Sequence, residues 1–348
     1  MNMFFIGFRD PLFSIIIFFA IIFIITFFAY WWGRYKRTQD SKHLEKFLHQ
    51  FRALPSKNEL KVLISSGELA QKSWLLLASS YYRNGDFEKS IEIYNEILST
   101  ESYHNAKETM FLLGKTYFKA GFLERSKQIF LSILKENPRT PQALHYLLLV
   151  YEYMRDYKSA LEVLEPLDEL GEDISLEKSY LQALEILSNS SIDETSKITS
   201  LLEIYHRKHE LNYLIFDYLF RIDPKIAWKN LDLSKSELIT ELLWRCKKQD
   251  LNLDIIAKSS FLSDLYSARG DVNISEGSDL FELDILINLK GRANATLNFE
   301  YICSECKSVS PFAFSRCSVC HTIDSAQVEW SLSRDYTKVF DEENNSFQ

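Results

Sequence analysis

The chain has 348 residues, 46% of them hydrophobic, with only ten Gly and seven Pro. That composition fits a helical protein with a sizeable, elongated core and excludes a loop-rich or low-complexity chain. A formal charge of −8 argues against a nucleic-acid phosphate backbone as the partner.

Residues 1–10 precede a run, Pro11 to Gly33, that contains no charged residue and is mostly Ile, Phe and Leu. These 23 residues are long enough to cross a bilayer core of about 30 Å as a helix. A cleaved signal peptide is the competing reading, with an apolar core of about 7–15 residues and a small-residue cleavage site. Here the run instead ends in Ala29-Tyr30-Trp31-Trp32, the pattern of an interfacial aromatic belt. Arg9 beside Asp10 lies before it; Arg34, Lys36 and Arg37 follow, in a basic segment over 34–43. The positive-inside rule then places residues 1–10 in the periplasm and everything after Arg34 in the cytoplasm.

A repeat near 34 residues fills the middle. Leu77-Ala78-x-x-Tyr81 returns as Leu113-Gly114-x-x-Tyr117 and as Leu147-Leu148-x-x-Tyr151. The turns Asn84-Gly85-Asp86, Ala120-Gly121-Phe122 and Arg155-Asp156-Tyr157 follow, then second helices carrying Ser90, Ser126 and Ala160 at matching offsets. Small residues let paired helices approach, and aromatic or aliphatic positions fill the space between units. One unit cannot bury its apolar face alone, so neighbours stack. The pattern resembles the tetratricopeptide repeat. Beyond Leu170 the period fades: Leu181 keeps register, but Glu185 stands where Tyr is expected. Helical patterns continue over 201–205, 211–220, 226–231, 238–245 and 261–268, and an imperfect pair precedes the first clear unit. The helical array is therefore placed at 44–290, with a linker over 291–298.

Cys303-x-x-Cys306 and Cys317-x-x-Cys320 fall within eighteen residues. Two such knuckles present four thiolates to one Zn²⁺ or Fe ion. The segment 299–330 is too short to bury an adequate core, and a metal cross-link, worth on the order of 10–16 kcal/mol, would supply the missing stability. Two disulfides are the alternative, disfavoured in a reducing compartment. The lone Cys246, in an apolar stretch, reads as a buried thiol. His206 and His209 share a helix face without a third ligand, and His321 follows a shell already complete. Residues 331–348 are expected to form a flexible tail. No phosphate-binding glycine loop, G-x-S-x-G or H-E-x-x-H occurs, so no enzyme is expected and no catalytic residue is assigned.

The expected fold class is all-α: an N-terminal transmembrane helix (11–33), a tetratricopeptide-repeat solenoid, and a small C-terminal four-cysteine metal module. That order resembles the lipopolysaccharide assembly protein B family, whose C-terminal module is rubredoxin-like. Carrying the resemblance are Tyr30-Trp31-Trp32-Gly33-Arg34, the repeats starting at Trp74, Met110 and Leu144, and Tyr301–Cys306 with Phe314–Cys320. Family knuckles tend to have Gly after the second Cys and Pro after the third; here stand Lys307 and Ser318. These departures favour a structural ion, Zn over Fe, and weigh against electron transfer.

The resemblance implies a single-pass inner-membrane adaptor that regulates lipopolysaccharide biosynthesis. It would bring the lipid A pathway deacetylase to a membrane-bound AAA+ protease for degradation, under an inner-membrane lipopolysaccharide sensor. The alternatives are a rubredoxin-like electron-transfer protein and a generic repeat scaffold for envelope biogenesis.

Overall fold

The computed structural model describes residues 23, 24, 27, 57–66, 70–100, 106–289 and 294–334. The expected transmembrane helix (11–33), the basic segment (34–43) and residues 335–348 therefore lie almost wholly outside the described residues. Among the described residues no helix is long and apolar enough to cross a membrane. The chain divides into two compact units, residues 1–154 and 155–348.

The first unit contains α1 (Lys57–Ser66), α2 (Gln71–Arg83), α3 (Phe87–Thr100), α4 (Lys107–Lys119), α5 (Leu123–Glu136) and α6 (Pro141–Tyr153). Each of α2 to α5 packs on the helix that follows it. The positions that set the sequence period are the ones buried: Trp74, Leu77, Ala78, Ile93, Tyr94, Ile97, Leu113 and Tyr117 share one core. Each large side chain among them contributes about 1.5–3 kcal/mol by leaving water. The turns of the first two repeats are built alike. Asp86 N–H reaches Tyr81 O and Phe122 N–H reaches Tyr117 O, around Gly85 and Gly121 at φ +84° and +81°. Only Gly takes that left-handed conformation without penalty.

Gly114 marks a tight helix crossing. A Cβ there would lie 2.9 Å from Phe130 Cζ, and the buried Ser126 hydroxyl donates to Gly114 O at 2.9 Å. The small residues seen in the repeat thus sit where backbones meet.

The second unit opens with α7 (Tyr157–Glu169), α8 (Ser175–Ser188), α9 (Glu194–Lys208), α10 (Asn212–Ile222) and α11 (Pro224–Asn230). The first turn it meets, at Arg155, matches Gly85 and Gly121 in the repeat, and Arg155 also adopts φ +59°. After a 3-10 turn (Leu233–Ile239) come the short α12 (Thr240–Arg245), α13 (Leu253–Ile256), α14 (Ser260–Arg269) and α15 (Phe281–Leu289). As the repeat erodes, side-chain caps appear. Asp156, Asp193, Asp223, Asn252 and Ser259 each accept a backbone N–H from the first turn of the helix they precede. Such caps stabilise a helix by about 1 kcal/mol each. The Arg269 guanidinium binds the carbonyls of Leu243, Trp244 and Cys246 at the end of α12, pairs with Asp271 and lies over the Tyr266 ring.

The all-α expectation is corrected at the C-terminus. β1 (Ala295–Cys303), β2 (Val309–Ser310) and β3 (Ala326–Arg334) form an antiparallel sheet in the order β2-β1-β3. The β1–β3 register runs from Ala295↔Arg334 to Cys303↔Ala326. β1 begins inside the stretch expected as linker, and β3 runs four residues past 330 into the expected tail. The buried Leu297, Tyr301 and Cys303 alternate with the exposed Asn298 and Glu300 and the half-buried Ile302, and this period of two forms a ladder that the cysteine spacing alone does not announce. The chain is otherwise mostly helical.

Gly114→Ala should destabilise the first unit by about 1–3 kcal/mol through overpacking against Phe130. A lowered thermal midpoint with unchanged far-UV circular dichroism would show this; an unchanged midpoint would mean the crossing is looser than described.

Candidate metal centre

The two knuckles are near copies of each other in backbone. Lys307 N–H donates to Cys303 O and Cys303 N–H to Ser308 O, each at 3.0 Å; His321 N–H donates to Cys317 O and Cys317 N–H to Thr322 O, also at 3.0 Å. Lys307 and His321 hold φ +59° and +63°, the left-handed conformation that Gly would take at lower cost. Holding Lys307 and His321 in that conformation adds local strain of about 1–3 kcal/mol per residue. Formation of the sulfur cluster must offset that.

All four Sγ atoms of Cys303, Cys306, Cys317 and Cys320 lie within 4.8 Å of one another. Cys303 and Cys320 are 3.5 Å apart, and Cys306 and Cys317 are 3.6 Å apart. Tetrahedral zinc with Zn–S bonds of about 2.3 Å requires sulfurs about 3.8 Å from each other, so the spacing fits one ion. None of the cysteines is in a disulfide.

Three hydroxyls complete the surroundings. Cys303 Sγ donates to Ser325 Oγ at 3.3 Å, and Cys320 Sγ donates to Thr322 Oγ1, also at 3.3 Å. Ser308 Oγ stands 3.1 Å from Cys306 Sγ and 3.4 Å from Cys317 Sγ, and Val319 N–H also donates to Cys317 Sγ. Burial pushes the Cys317 thiol up, but its hydrogen bonds from the Cys320 and Val319 backbone and from Ser308 outweigh this and bring it down to about 6. Burial likewise pushes the Cys303 thiol up, but its hydrogen bonds with Ser325 and with the Cys306 and Glu305 backbone outweigh this and the thiol is lowered. Cys303 and Cys317 are thus biased toward thiolate, the form that binds metal; bonds with Thr322 pull the Cys320 thiol down, but burial and the neighbouring Cys303 and Cys317 thiols outweigh them and raise it.

The second knuckle also fastens the module to the helices of its own unit. Arg316, with only 6% of its side chain exposed, makes a two-pronged pair with Glu177 of α8 at 3.2 and 2.7 Å. It donates to His321 O at 2.8 Å and lies 5.0 Å over the Tyr180 ring. On the far side of the same loop, the Asp324 carboxylate accepts Leu211 N–H at the start of α10, at 3.1 Å. Its own burial raises the Asp324 carboxyl above the usual range. The rings of Tyr301 and Tyr213 meet edge-on at 6.0 Å, and those of Trp330 and Phe261 approach to 6.2 Å.

Sequence reasoning located the four cysteines. It assigned no role to Arg316, Asp324 or the hydroxyls. A signal for the latter was present: a hydroxyl residue two places after each second cysteine, Cys306-Lys307-Ser308 and Cys320-His321-Thr322. The remaining candidates stand apart. His206 and His209 are exposed, with ring centres 6.2 Å apart. Cys246 is half-buried, not buried, and burial pushes its thiol up to about 11. Among the described residues only the four cysteines form a metal-capable group.

A tetratricopeptide repeat model matches residues 71–104, the α2–α3 unit. Two solved structures are similar. One, described as a double mutant of MamA RS-1, shares 20% identity over 55% of this chain and 96% of its own, with a TM-score of 0.35. The other, a tetratricopeptide repeat protein from Parabacteroides merdae, shares 15% identity over 72% of this chain and 99% of its own, with a TM-score of 0.39. Overlaps this partial add nothing beyond the repeat itself. No curated protein matches the sequence. The chain carries tetratricopeptide repeats, and no enzyme family is indicated.

Glu177→Ala leaves a buried guanidinium without its carboxylate and should cost about 2–3 kcal/mol, below the full value for a buried pair because Glu177 keeps some water. Faster cleavage within 295–334 under limited proteolysis, with the rest of the chain intact, is the expected outcome. Cys303→Ser with Cys306→Ser should abolish stoichiometric metal in elemental analysis; retention of one ion per chain would place the ligands elsewhere.

Proposed function

We propose that this protein is a membrane-tethered interaction scaffold that carries a tetratricopeptide array and a metal-clasped module held against the helices of its own unit. In its specific form the proposal is an adaptor in lipopolysaccharide regulation. It would be anchored in the inner membrane by 11–33, presenting the lipid A pathway deacetylase to a membrane-bound AAA+ protease and answering to an inner-membrane lipopolysaccharide sensor.

The observation that carries the scaffold reading is the repeat unit itself, matched over 71–104, together with the fastening of a four-thiolate module to α8 and α10. Repeat helices bury one face in stacking and leave another for partners. Tethering then raises the encounter rate of client and protease through effective concentration, without chemistry on the adaptor. The metal ion, held by Cys303, Cys306, Cys317 and Cys320, would be structural; zinc is the expected ion, and it would fix the loop from which Arg316 and Asp324 reach the helices. The anchor, the cellular compartment and the named partners rest on the sequence resemblance.

The test is a partner census by crosslinking in intact membranes, with deacetylase abundance followed in parallel. Deleting residues 1–33 should leave a soluble array and raise deacetylase several-fold. Recovery of division or secretion proteins with neither protease nor deacetylase would replace this reading with a general envelope scaffold. A red protein with a reversible one-electron wave would replace it with electron transfer.

A further inference from the structure

The first unit contains a cleft of about 700 Å³ to which neither the metal centre nor the repeat match assigns a role. Its rim is made by Lys72 on α2 and Lys107 and Glu108 on α4, with Gln142 on α6; its wall is Leu75, Phe111 and Ile133. Both lysines are exposed, and neither has an ion pair among the described residues.

The charge around the cleft runs against that of the chain. α2 carries Lys72 and Arg83 and no acid, while α4 carries Lys107, Lys115 and Lys119 against the single Glu108. The neighbouring α3 has Glu88, Glu92 and Glu96 against one Lys. Within a protein of net charge −8, the helices lining the cleft are locally cationic. Farther along them, the Lys115 ammonium lies between the rings of Tyr82 and Tyr146, at 5.6 and 5.9 Å from their centres, extending a lysine-and-aromatic surface away from the cleft.

The helix starts add to this. The first residues of α2 and α4 and the cap Thr140 of α6 all line the cleft, and none of the three helices has a side chain capping its N-terminus. Their outward-facing amide ends reinforce the lysines without being a site in themselves.

We propose that this cleft binds an acidic segment of a partner protein, with carboxylates at Lys72 and Lys107 and an aromatic or aliphatic side chain seated against Leu75, Phe111 and Ile133. Apolar floor and cationic rim together select such a peptide: a wholly apolar segment would leave the lysines unpaired, and a basic one would be repelled. The proposal rests on the scaffold reading and supplies the partner chemistry that reading lacks.

The experiment uses the full chain and a short fluorescein-labelled peptide of glutamates and aspartates around one phenylalanine. Saturable binding is expected, weakening with added salt. Lys72→Glu with Lys107→Glu, at two exposed positions that leave the core intact, should weaken it by at least about tenfold. The Gln/Asn version of the peptide should bind as poorly. Equal binding of acidic and neutral peptides, unchanged affinity in the double variant, or no saturable binding overturns the assignment. So does displacement by single-stranded RNA at equal concentration, which would make phosphate the recognised group. A crosslinking census in cells separates this from the parent reading: if the double variant keeps every partner, only the cleft assignment fails; if wild type captures none, the scaffold reading fails.

Discussion

Bringing four sulfurs within 4.8 Å of one another is the constraint on which the C-terminal module depends. The sheet beside them has one pair of nine-residue strands and a two-residue third strand. Such a sheet cannot bury enough apolar area to offset its own ordering entropy. Two kinds of support make up the difference. One is the sulfur cluster, with the hydroxyl and amide groups that hydrogen-bond to it. The other is the helical surface beneath, reached through Arg316 and Asp324. These two residues flank the second knuckle, so the geometry that gathers the sulfurs also aims the fastenings, and the loss of either support should weaken the other.

The array achieves its order differently in its two units. In the first, close packing dominates: Gly114 and Ser126 allow an approach that larger residues would block, and α2, α4, α5 and α6 have no side-chain cap at their N-termini. In the second, where the repeat pattern erodes and helices shorten, polar residues take over the specification. Asp and Asn caps, and Arg269 binding three carbonyls, hold pieces of chain that packing alone would leave frayed. The exposed cationic cleft lies in the tightly packed unit, where a rigid surface can present it without distortion.

Much of this was legible from residues alone, because the signals were local or periodic. Leu77, Leu113 and Leu147 announce themselves by spacing, and so do the four cysteines. The second-unit helices were visible as apolar stretches, though their caps and 3-10 turns were not. What escaped had a different physical character. Arg316 meets Glu177 across 139 positions, and Asp324 meets Leu211 across 113, separations at which sequence holds no pairing signal. The strands escaped for another reason: Leu297-Asn298-Phe299-Glu300-Tyr301 alternates plainly, but the expected boundary between the linker (291–298) and the metal module (299–330) splits that run in two. The left-handed Lys307 and His321 show the limit of residue preference, since the knuckle fold overrode it.

The β1–β3 ladder brings Ala295 and Arg334, where the chain enters and leaves the module, side by side at one end, while the sulfurs gather at the other. Tension applied to both ends would not shear the rungs together but unzip them singly, from Ala295–Arg334 toward Cys303–Ala326. The cluster would be the last element to feel the pull, acting as the stop at the closed end of a zipper.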